Sequence, residues 1–152
     1  MSERTLWRTM VGLAVIGLGV TIYLTVVHYG GFTVLCAAKG NPCAQVQSSI
    51  YSEVLGVPVA VLGLAGYVLI LASLLVRASE MSRVATLGVT LFGFVFSAYL
   101  TYREVFTLKA ICEWCVSSAV LMTFLFIGAV IRYLRGGSPL LSAEAAPEPG
   151  GS

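Results

Sequence analysis

The sequence predicts an all-α membrane protein: a bundle of four transmembrane helices with one exterior loop and a short amphipathic capping helix. Two observations predict this class. Of the 152 residues, 58% are hydrophobic and only 11% are charged, whereas a water-soluble domain carries about 25% charged residues. Four apolar runs also approach the ~20 residues that a helix needs to cross a ~30 Å hydrocarbon core. The length suits one transmembrane domain over residues 1–135 and a short tail.

The four predicted spans cover about residues 10–27, 58–76, 84–106 and 112–132. The first has the basic start of a signal peptide, but it is long for one and no small-residue cleavage site follows it, so we expect a retained helix. Pro58 opens the second span, where a proline is tolerated in the first helical turn. The tail, residues 136–152, is rich in Gly, Pro, Ala and Ser without apolar periodicity, which predicts disorder.

The basic residues predict the orientation of the bundle, because they favour the cytoplasmic ends of spans. An even number of spans places three basic groups on one side: Arg4 and Arg8, Arg77 and Arg83, and Arg132 and Arg135. The opposite side carries a weaker group: Lys39, Arg103 and Lys109. We therefore expect both termini to be cytoplasmic and the long loop over residues 28–57 to be exterior. The net charge of +2, without a basic tract, argues against nucleic acid as a partner.

The second half of the exterior loop predicts the capping helix. Residues 44–56 place four apolar side chains at roughly helical spacing: Val46, Ile50, Val54 and Leu55. A segment of this kind can lie on the membrane surface with its apolar side down. It would cap the mouth of the bundle and hold Cys43 near its start.

The four cysteines form two pairs of unequal spacing, Cys36 with Cys43 in the loop and Cys112 with Cys115 at the head of the fourth span. The predicted orientation puts all four on the side where disulfides form and persist. Two plain alternatives stay open from the residues alone. Four thiolates make a closed zinc site, although the spacing of the first pair is loose for one. Structural disulfides that staple the loop of a non-enzymatic scaffold are the other.

Redox chemistry accounts for more of the pattern. A dithiol relay needs a pair that a partner can attack, a second pair beside an electron acceptor, and a mobile element between them. Cys36 lies in a Gly-rich stretch, and Cys43 lies where that stretch meets the capping segment. Cys112 and Cys115 lie at the apolar boundary, where the helix dipole favours a thiolate. The sequence has no dinucleotide-binding fingerprint, and His28 is its single histidine, which argues against haem. By elimination, we expect the electron acceptor to be a membrane quinone.

This arrangement resembles the vitamin K epoxide reductase family, its bacterial members in particular. The resemblance extends over about residues 7–133. It rests on Cys36-x6-Cys43, on Ser49 six residues later, on the run GVPVAVLGLAGY and on Cys112-x-x-Cys115. Because no single piece is specific and the combination is, we take the four motifs together as the signature.

The resemblance implies a four-helix bundle around ubiquinone or menaquinone in the cytoplasmic (inner) membrane, with the active site facing the exterior or periplasm. It implies that Cys36 takes electrons from a separate thioredoxin-like partner and that Cys43 passes them to Cys112. Cys115 would face the quinone ring, with Ser49 close by. The activity implied is a disulfide-generating thiol:quinone oxidoreductase, and we expect a monomer in contact with membrane lipid, without a metal.

One departure from the family pattern bears on the substrate. Vertebrate members have a tyrosine four residues after the second cysteine of the Cys-x-x-Cys pair, and this chain has Ala119 there. We therefore expect a membrane quinone rather than vitamin K epoxide, whose reduction by a dithiol is the alternative activity.

Four polar or aromatic residues receive plainer interpretations. His28 could supply a proton to the reduced quinone, but a histidine at the end of a span is common. Arg103 and Glu104 lie near the exterior end of the third span, where we expect them to snorkel or to pair rather than to catalyse. Trp114, between the paired cysteines, is expected to anchor the helix at the membrane interface.

Overall fold

Four long helices form the bundle in the computed structural model, which describes residues 2–37, 39–76 and 79–136. They are α1 (Glu3–Gly30), α3 (Val59–Leu75), α4 (Glu80–Arg103) and α5 (Glu113–Arg135). The connection between α1 and α3 contains α2 (Pro42–Gln47), a 3₁₀ turn (Ile50–Ser52) and the antiparallel pair β1 (Glu53–Val54) and β2 (Val57–Pro58). A π-helical turn (Glu104–Leu108) continues α4. This confirms the predicted all-α class.

Local residue chemistry sets the ends of these helices. The hydroxyls of Ser2 and Ser79 accept the N–H groups of the first turns of α1 and α4 at 3.3 and 3.2 Å, which satisfies backbone donors that have no partner within the helix. Gly31 ends α1 in the left-handed region, with φ of 65°, where glycine carries no steric penalty. Pro58 stands immediately before α3.

The helices pack in a closed ring, since α1 and α4 each contact both α3 and α5. In the described part of the chain, three helical stretches are long and apolar enough to cross a membrane: Glu3–Gly30, Glu80–Leu108 and Glu113–Arg135. Helix α3 is shorter, and its 17 residues span about 25 Å. Large apolar side chains such as Ile16 and Phe92 face outward, as lipid contact requires. The chain is a membrane protein, and helix α1 begins at Glu3, before the predicted start of the first span at about residue 10.

The two ends of the bundle differ in what they carry. At the terminal end α1 and α4 begin and α3 and α5 end, and at the loop end α1 and α4 end and α3 and α5 begin. A core of apolar side chains fills the half nearer the terminal end: Leu6, Met10, Ala14, Tyr67, Ile70, Leu74, Met122, Leu125 and Ala129. Gly17 of α1 lies directly against the Tyr67 ring, with no room for a side chain. This close approach fixes α1 against α3.

The capping segment is only partly the predicted helix. Residues 44–56 do not form one helix, because α2 ends at Gln47 and the chain continues as a turn and a hairpin. The Ser48 and Ser49 hydroxyls donate to carbonyls of the preceding turn, a local bonding that competes with helix continuation. Leu55 and Gly56 then adopt φ of 55° and 80°, which suits a two-residue hairpin turn. The helical prediction therefore holds only for residues 44–47, and the observed helix starts earlier, at Pro42, with Cys43 in its first turn.

The four apolar residues of the capping segment were predicted to lie on one face of a helix, but the structure does not place them on a common face. Val46 is buried, whereas Ile50 is exposed and Leu55 is 100% exposed at the hairpin tip. The predicted tail and Arg77 lie outside the described residues, except for Gly136 at the end of α5.

Candidate active site

The outer cysteine pair is a disulfide. Cys36 bonds to Cys43 with their α-carbons 6.0 Å apart, inside the usual range for such a bridge. Gly40 and Asn41 bring the chain back with φ of 91° and 52°. Pro42 then starts α2, so Cys43 faces inward and is fully buried while Cys36 is half-buried. One sulfur of the pair is thus nearer to solvent and the other nearer to the bundle.

The inner pair is a free dithiol at the head of α5. Cys112 is the N-cap residue and is buried, and Cys115 lies in the first turn and is half-buried. A hydrogen bond from the Cys115 thiol lowers the pKa of Cys112, against the opposing effects of burial and of the nearby Glu104 charge. Cys112 is therefore the sulfur of the pair that is favoured as a thiolate, the form that attacks disulfides.

The two pairs share one buried cluster at the loop end, which we call the loop-end cluster. It consists of Leu24, Val27, Val34, Cys43, Val46, Ala60, Ala110 and Cys112. Cys36 and Cys115 pack against it. The fold therefore brings together four sulfurs from two stretches that are about 70 residues apart in sequence. Two of the four sulfurs are bonded to each other, which leaves two thiolates for the zinc alternative instead of four.

The loop that carries Cys36 is fastened to the Cys-x-x-Cys motif itself. The Trp114 indole N–H donates to the carbonyl of Leu35 at 2.8 Å, and the Ala37 N–H donates to the Glu113 carboxylate at 3.3 Å. These bonds hold the residues on either side of Cys36. Trp114 also packs on the Tyr23 ring, with centroids 5.0 Å apart. Trp114 thus has a positioning contact that its interpretation as an interface anchor did not include.

Glu104 is the residue that the sequence interpretation placed least well. It is only 4% exposed, and no described Lys or Arg forms an ion pair with it. Its carboxylate accepts the N–H of Cys112 at 3.2 Å and is hydrogen-bonded to the Cys115 thiol. The expectation of a snorkelling or paired side chain is therefore wrong for Glu104. A single carboxyl in an apolar span was the available signal, since such groups are functional candidates by default.

Ser49 and His28 line a different, polar cavity. This open cavity of about 470 Å³ lies at the loop end, between the end of α1 and the hairpin. The Ser49 hydroxyl donates to the carbonyl of Val46 at 2.7 Å. His28 lies 3.9 Å from the Glu53 carboxylate. Both side chains therefore have partners within the loop region.

An apolar cavity of about 360 Å³ begins one residue beyond Cys115, between α4 and α5. Its walls include Phe94, Ser97, Thr101, Val116, Ala119 and Val120. The volume falls within the range of small-molecule sites in proteins. Ala119, the departure from the vertebrate pattern, is one of the lining residues. A tyrosine ring at this position would fill part of the cavity, whereas the alanine side chain leaves that space open.

A helical membrane bundle with a disulfide next to a free Cys-x-x-Cys pair has the architecture of a membrane thiol oxidoreductase. The model of the vitamin K epoxide reductase family matches residues 8–130, a range that includes all four cysteines and Ser49. The chain belongs to the vitamin K epoxide reductase family. The resemblance drawn from the motifs is confirmed, and with it an oxidoreductase class that acts on quinones or vitamin K.

Proposed function

We propose that the protein is a membrane thiol:quinone oxidoreductase that reoxidises a separate thioredoxin-like protein and so supports disulfide bond formation. One observation carries this proposal: Cys43 of the outer disulfide and Cys112 of the free inner pair belong to one buried cluster, and Cys36 and Cys115 pack against it. Thiol–disulfide exchange needs direct contact between sulfurs. A disulfide and a dithiol that pack together are therefore consecutive redox centres on one electron-transfer path.

The burial of each sulfur supports the order of that path. Cys36 is half-buried and belongs to the loop, so a partner thiolate attacks there. Cys43 is buried against the cluster and passes the electrons to Cys112. In each cycle two thiols of the partner become a disulfide and release two electrons and two protons. A membrane quinone accepts two electrons and two protons and leaves as the quinol.

The apolar cavity between α4 and α5 supports the assignment of ubiquinone or menaquinone as acceptor. Its walls are mainly apolar, and one of its lining residues, Val116, directly follows Cys115 in sequence. Ser49 is proposed to lie close to the bound ring. Because Ser49 lines the polar cavity and not this apolar one, the ring must reach toward the loop end for the two to meet. The Ser49 hydroxyl proton is already donated to Val46, so a bond to a quinone oxygen requires that hydroxyl to rotate.

We also propose that the chain lies in the cytoplasmic membrane as a monomer, with both termini cytoplasmic and the loop end outside. The basic residues of the terminal end support this orientation. In sealed right-side-out vesicles, after mild reduction of the outer disulfide, a membrane-impermeant maleimide is expected to label Cys36. Labelling of Cys36 only in inverted vesicles would reverse the orientation.

The decisive experiment uses the purified full chain in lipid nanodiscs with a reduced thioredoxin-fold protein and either quinone. Quinone absorbance and the partner's thiols are followed together. We expect one quinol for each partner disulfide formed. A parallel arm replaces the quinone by vitamin K epoxide and is expected to be slower. If partner thiols stay reduced with both quinones, the protein is not a thiol:quinone oxidoreductase of this kind. Retained stability with no turnover would then favour the stapled scaffold.

A further inference from the structure

Glu104 is a buried carboxyl at the loop end of α4, and the proposed electron path does not use it. It begins the π-helical turn Glu104–Leu108, whose wider winding ends at Lys109 with φ of 50°. Its backbone carbonyl accepts the N–H of Ala110 at 3.3 Å. The turn therefore aims the side chain back toward the head of α5 while the chain crosses to it.

The carboxylate lies between the two inner cysteines. One oxygen accepts the backbone N–H of Cys112 at 3.2 Å in a buried position. The carboxylate is also hydrogen-bonded to the thiol of Cys115. It thus contacts the sulfur that loses and regains a proton in each cycle, and it fixes the backbone of the other cysteine.

The charges around Glu104 do not neutralise it. Neighbouring Arg103 extends over the Tyr51 ring, 4.4 Å from its centroid, and also approaches Tyr99. Lys109 and Glu113 are exposed, and Glu113 accepts the N–H of Ala37. Among residues 2–37, 39–76 and 79–136, no cation forms an ion pair with Glu104.

An uncompensated buried carboxylate is costly for stability. A glutamine would accept the Cys112 N–H without that cost, so the hydrogen bond alone does not account for an acid at this position. A carboxylate within reach of a thiol has a second use, because it can take up the proton of that thiol and return it.

We propose that Glu104 is a catalytic acid–base residue that carries the proton of Cys115. Oxidation of the inner pair forms one S–S bond and delivers two electrons to the quinone of the proposed function, on which this inference rests. Two protons leave the pair: Cys112 loses its proton to water when it becomes the thiolate, and Cys115 loses its proton as the S–S bond forms. The Glu104 carboxylate takes the Cys115 proton and then releases it toward the acceptor or water. When the reduced outer pair reduces the inner disulfide, Cys43 attacks Cys112. The departing Cys115 sulfur then takes a proton back from Glu104.

The first test separates proton transfer from positioning. Glu104→Gln keeps an acceptor for the Cys112 N–H and removes the base. With a small dithiol as reductant, we expect quinone reduction to fall about 100-fold, a typical effect of losing an acid–base group. Glu80→Gln is the matched control, because Glu80 is exposed in the first turn of the same helix, at the terminal end. It should stay within about twofold of the unchanged chain, as surface changes of this kind are nearly neutral.

The second test needs no quinone. In a chain carrying Cys36→Ser and Cys43→Ser, a soluble aromatic disulfide oxidises the inner dithiol in two phases, and each phase releases one coloured thiolate. One phase requires Cys115 to lose its proton. With Glu104 present, the rate of that phase should not depend on buffer concentration. In Glu104→Gln we expect it to be about 100-fold slower and to accelerate as the buffer base is increased.

The outcomes separate this inference from the proposed function. Normal rates in Glu104→Gln, with loss only in Glu104→Ala, would reduce Glu104 to a positioning residue and overturn the inference. If the Glu104→Gln variant does not fold, the chain that retains Glu104 provides the test. Acceleration by buffer base of the phase in which Cys115 loses its proton would then overturn the inference. The two proposals can also fail separately. If the Glu104→Gln variant shows the slow phase but the unchanged chain does not reduce quinone, the proposed function is wrong and the proton-transfer role of Glu104 stands.

Discussion

Each end of the bundle contains one tryptophan whose indole N–H donates to a backbone carbonyl of another element. At the terminal end, Trp7 of α1 donates to Leu74 of α3 at 2.9 Å. At the loop end, Trp114 of α5 donates to Leu35 of the loop at 2.8 Å. The same chemical bond joins two rigid helices in one case and a helix to an irregular segment in the other.

The surroundings of the two bonds differ in the same way. The terminal-end core consists of large side chains such as Met10 and Tyr67 from three helices. The loop-end cluster consists mostly of smaller side chains and sulfurs, drawn from helices and loop segments. Dense helix packing resists rearrangement. If the proposed function is right, changes at the terminal end should mainly affect stability, and changes at the loop end should mainly affect turnover.

The largest expected effect is on turnover at the loop end. Cys115→Ser should reduce quinone reduction to the uncatalysed rate with either a protein partner or a small dithiol, because the last sulfur before the quinone is gone. Cys36→Ser, the matched variant, should block oxidation of the partner and leave reduction by a small dithiol largely intact. Quinone absorbance measures both. Equal loss of both activities in both variants would show that the order of the sulfurs is wrong.

The second prediction tests movement of the loop. In Cys115→Ser protein, the sulfur that would resolve a Cys43–Cys112 bond is missing, so this mixed disulfide should become the main species after reaction with the reduced partner. Such a bridge needs the two α-carbons within about 7 Å. Mass spectrometry of non-reduced peptides detects it. A Cys36–Cys112 link found in its place would exchange the roles of the two loop cysteines.

The third prediction concerns stability at the terminal end. Leu125 is fully buried, and adjacent Phe124 is 57% exposed on the outside of α5. Leu125→Ala should lower the free energy of unfolding by about 2–5 kcal/mol through the cavity it leaves, with little change in turnover per folded molecule. Phe124→Ala is the control and should change stability by less than about 1 kcal/mol. Thermal unfolding in detergent compares them, and equal losses would contradict the packing described here.

The smallest expected effect compares the two tryptophans directly. Trp114→Phe removes a donor worth about 1 kcal/mol and frees the loop beside Cys36. Partner oxidation should then slow by about fivefold, and reduction by a small dithiol should not change. Trp7→Phe removes the same kind of bond at the terminal end, so it should lower stability by a similar free energy without slowing either reaction. If Trp7→Phe also slows partner oxidation selectively, the two ends are not separable.

The local features of this protein could be predicted from its sequence. Four apolar runs gave four helices, because burial in lipid depends on the composition of each run alone. A Cys-x-x-Cys motif at the start of an apolar run placed both inner thiols at a helix head. The capping segment was predicted less well, since apolar spacing over residues 44–56 did not account for the bonds of Ser48 and Ser49 to the backbone.

The sequence by itself determined the membrane class, the pairing of cysteines by region and the family signature, because each depends on composition or on spacing along the chain. Only the tertiary structure decided which side chains meet at the inner pair. The Glu104 carboxylate reaches Cys112 across a π-helical turn, and Trp114 reaches Leu35 from 79 positions away. Such contacts depend on how separate helices and a loop pack together, and periodicity within one segment carries no information about that.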